Sequence, residues 1–349
     1  MSDIRIRAEQ REERILSPRA ARAADYNDTR AQTETPCDVR TAFQRDIHRI
    51  VHSKAFRRLR GKTQVFLWPE GDHYRTRMTH CMEVNQIART LARALDLNED
   101  LTEAVALGHD LGHTAFGHAG EGVLCELHPD GFRHEVQSLR VVDRLERDGT
   151  GLNLTSAVRD GILNHSKGAG PLLDVPVASL PKTLEGQIVR LADLIAYINH
   201  DLDDALRAKI IAEDELPRAT AAILGSSTSG RLTFIVTDIV QHTRQSDQDL
   251  ITMSPALADG LEQTREFLYQ RVYYNDQVHC EFRKATRLLS SLWEFFMGDL
   301  NRFYAEYARN ALRDGPPEDD VRDYIAGMTD AFATTLFQKV FTPRRWYIY

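Results

Sequence analysis

The sequence predicts an all-α fold, and three observations carry that prediction. From His80 the apolar positions Val84, Ile87, Leu91 and Leu95 follow at steps of four, three, four and four. The series Leu184, Ile188, Leu191, Ile195, Ile198 and Leu202 repeats the pattern. Such steps place side chains on one face of a helix. Strand signals, by contrast, are sparse: TQVFLW before Pro69, and RLTFIVTDIV at 231–240, which suits a helix equally well.

In chain order, helices are expected at about 80–95, 99–111, 133–147, 154–164, 184–202, 254–275, 280–306 and 317–340. The second is anchored by Leu101, Val105 and His109, which share a face, and it must end near 111 because Gly112 and Gly117 break helical continuity. The small polar run GSSTSG at 225–230 reads as a flexible connection, and the aromatic end RRWYIY at 344–349 as a packed terminus. There is no internal repeat.

The chain has 349 residues, 42% hydrophobic and 27% charged, as a globular protein with a sizeable core requires. No apolar run approaches the ~20 residues that span a bilayer, and MSDIRIRAEQREER has no apolar signal segment, so a cytoplasmic protein with no membrane partner is expected. Cys37, Cys81, Cys125 and Cys280 form no C-x-x-C pair, which leaves histidine and carboxylate to hold any metal. The net charge of −7 hides an asymmetry: residues 1–70 carry 15 Lys and Arg against 10 Asp and Glu. The densest basic piece, KAFRRLRGK at 54–62, is expected to line an anion entrance or an oligomer interface. Single-stranded nucleic acid is the other polyanion it suggests, but only Phe56 interleaves the charges.

The chemistry concentrates in HDLGHTAFGHAGE, residues 109–121. His80 lies on an apolar stripe and points inward; His109 ends the next helix, with Asp110 about 100° further round the axis, so both reach a cation off the helix end. Opposite the Leu/Ile stripe of 184–202 runs a polar series of Asp193, Tyr197, His200 or Asp201, and Asp204, where an ordinary solvent face would carry Lys, Glu, Gln and Arg. Two imidazoles with two carboxylates suit Mn, Fe, Co, Ni or Zn, with Mg also possible. His109 and His113 look superficially like an H-E-x-x-H helix, yet Asp110 replaces the glutamate and Gly112 breaks the helix. The chain after Asp110 is instead a turn presenting His113 and His118, with Glu121 three residues beyond.

These residues carry a resemblance. RTRMTH (75–80), HDLGHTAFGHAGE (109–121), RHE (133–135), GILNHSKG (161–168) and RLADLIAYINHDLDDA (190–205), in that order, resemble the HD-domain deoxynucleoside triphosphate triphosphohydrolases, and most of all their bacterial dGTPase-like branch. The similarity begins near DIHRIVHSKAFRRLRGKTQVF (46–66) and returns in DYIAGMTD (323–330).

The resemblance implies an HD-domain helical bundle with additional C-terminal helices, divided into an N-terminal extension (1–45, partly flexible), a catalytic core (46–205) and a C-terminal helical region packed on it (206–349). It implies a divalent metal held by His80, His109, Asp110 and Asp193, a catalytic His118 with its partner Glu121, and phosphate contacts from Arg77, His113, His134 and Tyr197. Gln64 and Asp201 match residues that contact the sugar. The implied substrate is a dNTP, cleaved at the α-phosphorus into deoxynucleoside and tripolyphosphate, in a homo-oligomer, often a hexamer, with a dNTP effector and a response to single strands. Many relatives have two prolines or Thr-Pro where this chain has Thr114-Ala115. The competing readings are a phosphomonoesterase or cyclic-nucleotide phosphodiesterase of the same superfamily, and a nucleotide- or nucleic-acid-binding regulator without turnover.

Overall fold

The structure, a computed structural model, describes residues 4–64, 75–166, 172–173, 175–217, 220, 228–273 and 275–343. Among them there is no strand, only an isolated antiparallel bridge between Thr63 and Thr76, so the all-α prediction holds. Of TQVFLW only its first two residues are described; the first half of GSSTSG and all of RRWYIY fall outside. RLTFIVTDIV is helical. No helix among the described residues is long and apolar enough to cross a membrane.

The helices are α1 (Ile4–Ile15), α2 (Ala42–Val51), α3 (Lys54–Arg58), α4 (Arg77–Ala94), α5 (Glu99–Gly108), α6 (Gly117–Leu127), α7 (His134–Arg140), α8 (Ser156–Asn164), α9 (Leu184–Arg207), α10 (Thr228–Gln245), α11 (Pro255–Leu268), α12 (Asp276–Gly298), α13 (Pro317–Ala326) and α14 (Asp330–Phe341). Their starts are chemically marked. Thr41 and Thr76 each form a capping box, and the Asn98 side chain accepts from the N–H groups of Asp100 and Leu101. Such caps satisfy backbone donors that the first turn leaves unpaired.

Two expected helices break. The stretch 317–340 divides at Gly327, and Thr329 caps the second half through Phe332 N–H. The stretch 280–306 stops at Gly298, and Asp299 caps a new short turn, Leu300–Arg302. In both places a glycine followed by a capping side chain outweighs the continuing apolar period. The N-terminal residues pack firmly where they meet the rest: Ala23 is buried, and Arg30 donates to Asp46 Oδ1 and to the Asn153 carbonyl at 2.6 Å.

Two apolar cores position the site. The larger gathers Val84, Leu91, Leu101, Val105, Ile162, Ile188 and Ile195 from α4, α5, α8 and α9. The other joins α6, through Val123 and Leu124, to Leu289, Trp293 and Phe296 of α12 and Val321 and Ile325 of α13. α9 is buried nearly all round, so its polar face turns into the protein instead of to solvent.

Candidate metal centre and active site

Side chains from three helices converge where α4, α5 and α9 meet. His80 Nε2 lies 3.0 Å from Asp193 Oδ1 and 3.8 Å from Asp110 Oδ2. His109 Nε2 lies 3.3 Å from Asp110 Oδ1 and 3.8 Å from Asp193 Oδ1. Each is fixed from behind. His109 Nδ1 donates to the Ala106 carbonyl at 2.7 Å, which leaves Nε2 as a lone pair; it is buried and has no hydrogen-bond partner. His80 Nδ1 pairs with His200 Nε2 at 2.9 Å, and Arg77 Nη1 donates to Asp110 Oδ2 at 2.8 Å. An orphaned buried imidazole nitrogen facing two carboxylates and a second imidazole fits a divalent cation, and the contacts behind the donors are the kind that orient metal ligands.

The electrostatics agree with that geometry. Burial pushes the Asp110 carboxyl up, but the imidazoles of His109 and His113 and the Arg77 guanidinium outweigh it and hold the group well below the usual carboxylate range. Burial likewise opposes ionisation of Asp193, and the hydrogen bond to His80 with the nearby His109 imidazole reverses it, again to well below that range. Both carboxylates are therefore anions throughout the neutral range.

The segment after Asp110 turns, as its glycines require. A Cβ on Gly112 would lie 2.1 Å from the Ser138 backbone nitrogen, so only glycine lets this turn press against α7. Phe116 and Gly117 both have positive φ, 59° and 53°, and they start α6 in the left-handed region. The result aims His113 inward and His118 outward. His113 is buried 3.3 Å from Asp110 Oδ1 and stacks on His134 with ring centroids 3.9 Å apart. The His118 side chain is 53% exposed at the mouth, with Nδ1 3.8 Å from Glu121 Oε2.

Glu121 serves His134 more closely than it serves His118. One of its oxygens accepts both the His134 backbone N–H and the His134 Nδ1, each at 3.0 Å. Burial raises the Glu121 carboxyl, but its interactions with His118 and His134 hold it far below the usual range. His134 is lowered by burial and raised further by Glu121, for a net rise. Its Nε2 faces His165 Nε2 at 3.2 Å, and burial together with His109 and His134 pulls His165 down to about 4. An imidazole whose protonated form is favoured thus sits between a carboxylate and a second buried imidazole.

His80, Asp110, His113, His118, Glu121, His134 and Asp193 line a cavity of about 390 Å³ together with Gln64, Arg77, Tyr197, Arg190, Arg265 and Tyr269, while His109 and His165 lie behind its wall. The Nε atoms of Arg77 and Arg190 and Oε1 of Gln64 are buried with no hydrogen-bond partner. Asp201 is placed differently: buried behind this wall, it accepts from His200 Nδ1 at 3.0 Å and from the Tyr273 hydroxyl, and its carboxylate does not line the cavity.

The basic run divides and does not form the entrance expected of it. Lys54 and Arg58 line a separate cavity of about 640 Å³ with Tyr307, Tyr324 and Thr329, and Lys54 pairs with exposed Asp148. Lys62 is fully buried, donates to the His113 carbonyl and to the Ala326 carbonyl at 2.9 Å, and is pulled down to about 7 by burial and the neighbouring Arg58 and Arg77. The short α3 and the turn after it spread these cations over different faces.

Sequence reasoning assigned no role to His165, Arg190, Arg265 or Tyr269. Arg190 was legible: it precedes Asp193 by three and Tyr197 by seven, the spacing of one helix face. Arg265 and Tyr269 come from α11 and its end, distant in sequence from the other motifs, and no local signal marks them.

A helical scaffold presenting an inward His-Asp pair with a second histidine and aspartate defines an HD-domain phosphohydrolase. The HD-domain family model matches residues 77–198, and the phosphohydrolase-associated domain model matches residues 251–339. A deoxyguanosinetriphosphate triphosphohydrolase-like protein of Desulfatibacillum aliphaticivorans is 50% identical, covering 97% of this chain and 98% of its own. One of the same description from Caldanaerobacter subterraneus is 48% identical over 99% and 97%. The chain belongs to the deoxyguanosinetriphosphate triphosphohydrolase-like family. A phosphohydrolase of Bacteroides thetaiotaomicron, 18% identical, shares the fold with a TM-score of 0.52 over 84% of this chain and 67% of its own.

Proposed function

We propose that the protein hydrolyses deoxynucleoside triphosphates at the α-phosphorus, releasing deoxynucleoside and tripolyphosphate. The observation that carries this reading is the cavity itself: buried arginine nitrogens of Arg77 and Arg190 without partners stand beside a four-donor cation site. That combination suits a polyanion bound with a divalent ion, and the relatives' shared description supports a triphosphate.

In this reading His80, His109, Asp110 and Asp193 hold the ion, one of Mn, Mg, Fe, Co, Ni or Zn. Such an ion, when bound, supplies Lewis-acid polarisation of a phosphoryl oxygen. The chain's own groups do the rest. Arg77, with one edge on Asp110, neutralises charge developing on the phosphate, and His113 and His134 add phosphate contacts beside it. His118, free at the mouth and oriented by Glu121, carries the proton between water and leaving group. Tyr197 adds a phosphate contact and Gln64 borders the sugar, while Asp201 holds His200 and Tyr273 behind them. The family resemblance adds a homo-oligomer, which sedimentation of the purified protein tests directly.

The deciding experiment incubates the protein with each dNTP and each of the six metals and separates the products. Tripolyphosphate with free deoxynucleoside is the expected pair. Orthophosphate from a nucleoside monophosphate, or opening of a cyclic nucleotide, in its place would assign the site to a phosphomonoesterase or a phosphodiesterase.

A further inference from the structure

The loop that carries His113 and His118 is held by residues from both ends of the chain. Asp330, the first residue of α14, is buried, and its carboxylate spans two segments. Oδ1 accepts from Phe116 N–H at 2.9 Å; Oδ2 accepts from Thr63 N–H at 3.0 Å and from the Thr63 hydroxyl at 2.6 Å. Phe116 is the left-handed residue at which the chain turns into α6, and no side chain caps that helix. A non-glycine residue at positive φ costs on the order of 1–3 kcal/mol and persists only where its surroundings over-determine it. The bond to Asp330 is such a constraint. Thr63 directly precedes Gln64 and is bridged to Thr76 beside Arg77, so the same carboxylate also holds the opposite rim.

A second strut runs parallel. Buried Lys62 joins the His113 carbonyl to the Ala326 carbonyl at the end of α13. The Gly117 position shows how closely the rims meet, since a Cβ there would lie 3.0 Å from the Gln64 carbonyl oxygen and 3.2 Å from Arg77 Nη2. The three residues Gly327–Thr329 between α13 and α14 therefore carry two grips on the reaction loop, one at each end of the joint.

We infer that Asp330 is a positioning residue for His118: its carboxylate fixes the Phe116 turn against the Gln64 rim and so sets where the His118 imidazole stands. The inference rests on the proposed proton-transfer role of His118. A misplacement on the order of 1 Å costs about 100-fold in rate, so a loosened turn is expected to lower turnover more than binding.

The test uses Asp330→Asn in the full-length protein, with Thr63→Val as a milder variant that removes only the hydroxyl bond. Hydrogen–deuterium exchange of peptides covering 111–124 is expected to quicken about tenfold or more in Asp330→Asn, with circular dichroism unchanged. The kcat for dNTP hydrolysis is expected to fall about 10- to 100-fold with KM within about threefold, and Thr63→Val to lose about threefold. In a double-mutant cycle, adding Asp330→Asn to His118→Ala is expected to change turnover by less than about twofold, because the group it positions is already gone. Unchanged exchange, or a full multiplicative loss in the cycle, overturns the inference. If Asp330→Asn does not fold, exchange and the cycle are read on Thr63→Val, where unchanged exchange, or the same threefold loss on top of His118→Ala as in wild type, overturns it. A wild-type protein that hydrolyses no dNTP would sink the proposed activity, and exchange would still judge the tie.

Discussion

Nδ1 of His134 lies 3.0 Å from Oε1 of Glu121, closer than His118 comes to the same carboxylate, so the acid of the reaction loop holds the buried histidine first. Glu121→Gln keeps the shape and removes the charge that raises His134. The His134 imidazole pKa, followed by NMR titration, is expected to fall toward about 6.5 or below, and kcat to drop about 10- to 1,000-fold. An unmoved His134 titration would refute this division of labour.

His118 is exposed at the cavity mouth and contacts none of the four clustered donors, so its loss should leave the cation site intact. His118→Ala is expected to lower kcat about 100- to 10,000-fold with divalent-ion affinity, measured by calorimetry, within about threefold of wild type. Loss of ion binding would place His118 in the wrong role.

His109 Nε2 is the orphan of the cluster, and a bound cation relieves it. Adding Mn²⁺ at 100 times its Kd is expected to stabilise the native protein by about 2.7 kcal/mol, read as a rise in Tm. His109→Ala should abolish that rise. A rise of the same size in the variant would move the ion elsewhere.

Glu185 lies in the first turn of α9 and ties it to two other segments: its Oε1 accepts from the N–H of Ala21 at 3.1 Å and of Asn98 at 2.9 Å, while Oε2 is buried without a partner. Burial raises it from an ordinary 4.5 to about 7, against the opposing backbone hydrogen bonds. The folded state then binds the proton more tightly than the unfolded chain, so this group's contribution is fully present below about pH 4.5 and is lost as pH rises through about 7. The change is on the order of 3 kcal/mol. Glu185→Gln, a mimic of the neutral form, is expected to flatten this slope in denaturant melts between pH 5 and 8. A slope as steep as that of wild type would assign the pH dependence to other groups.

Gly112→Ala places a methyl group 2.1 Å from the Ser138 backbone nitrogen, where no flexible side chain can yield. A loss of about 3 kcal/mol in stability is expected, with disordered presentation of His113 and reduced activity. A Tm equal to that of wild type would show that α7 moves away freely.

Much of this protein was legible in its chain because helical period is local. The steps from His80 to Leu95 and from Leu184 to Leu202 determined two helices and their buried faces, and Gly112 and Gly117 determined that α5 stops short of His113. The inward course of His80 and the polar face of α9 followed from the same periods. The sequence pattern ran too far where a glycine and a cap interrupt it, at Gly327–Thr329 and Gly298–Asp299, and by three residues at the end of α5; the turn expected after Asp110 is shorter than predicted, because His118 and Glu121 already stand on α6.

Only the tertiary structure decided which distant groups meet. That Asp330 would reach Phe116, that Lys62 would leave the basic run for the His113 carbonyl, and that Asp201 would turn to His200 and Tyr273 are facts of packing across more than 50 residues of chain in each longer case. Local propensity specifies where an element lies and which face is apolar. The orientation of a polar side chain depends on which donors and acceptors its neighbours leave unsatisfied once two cores have closed around it.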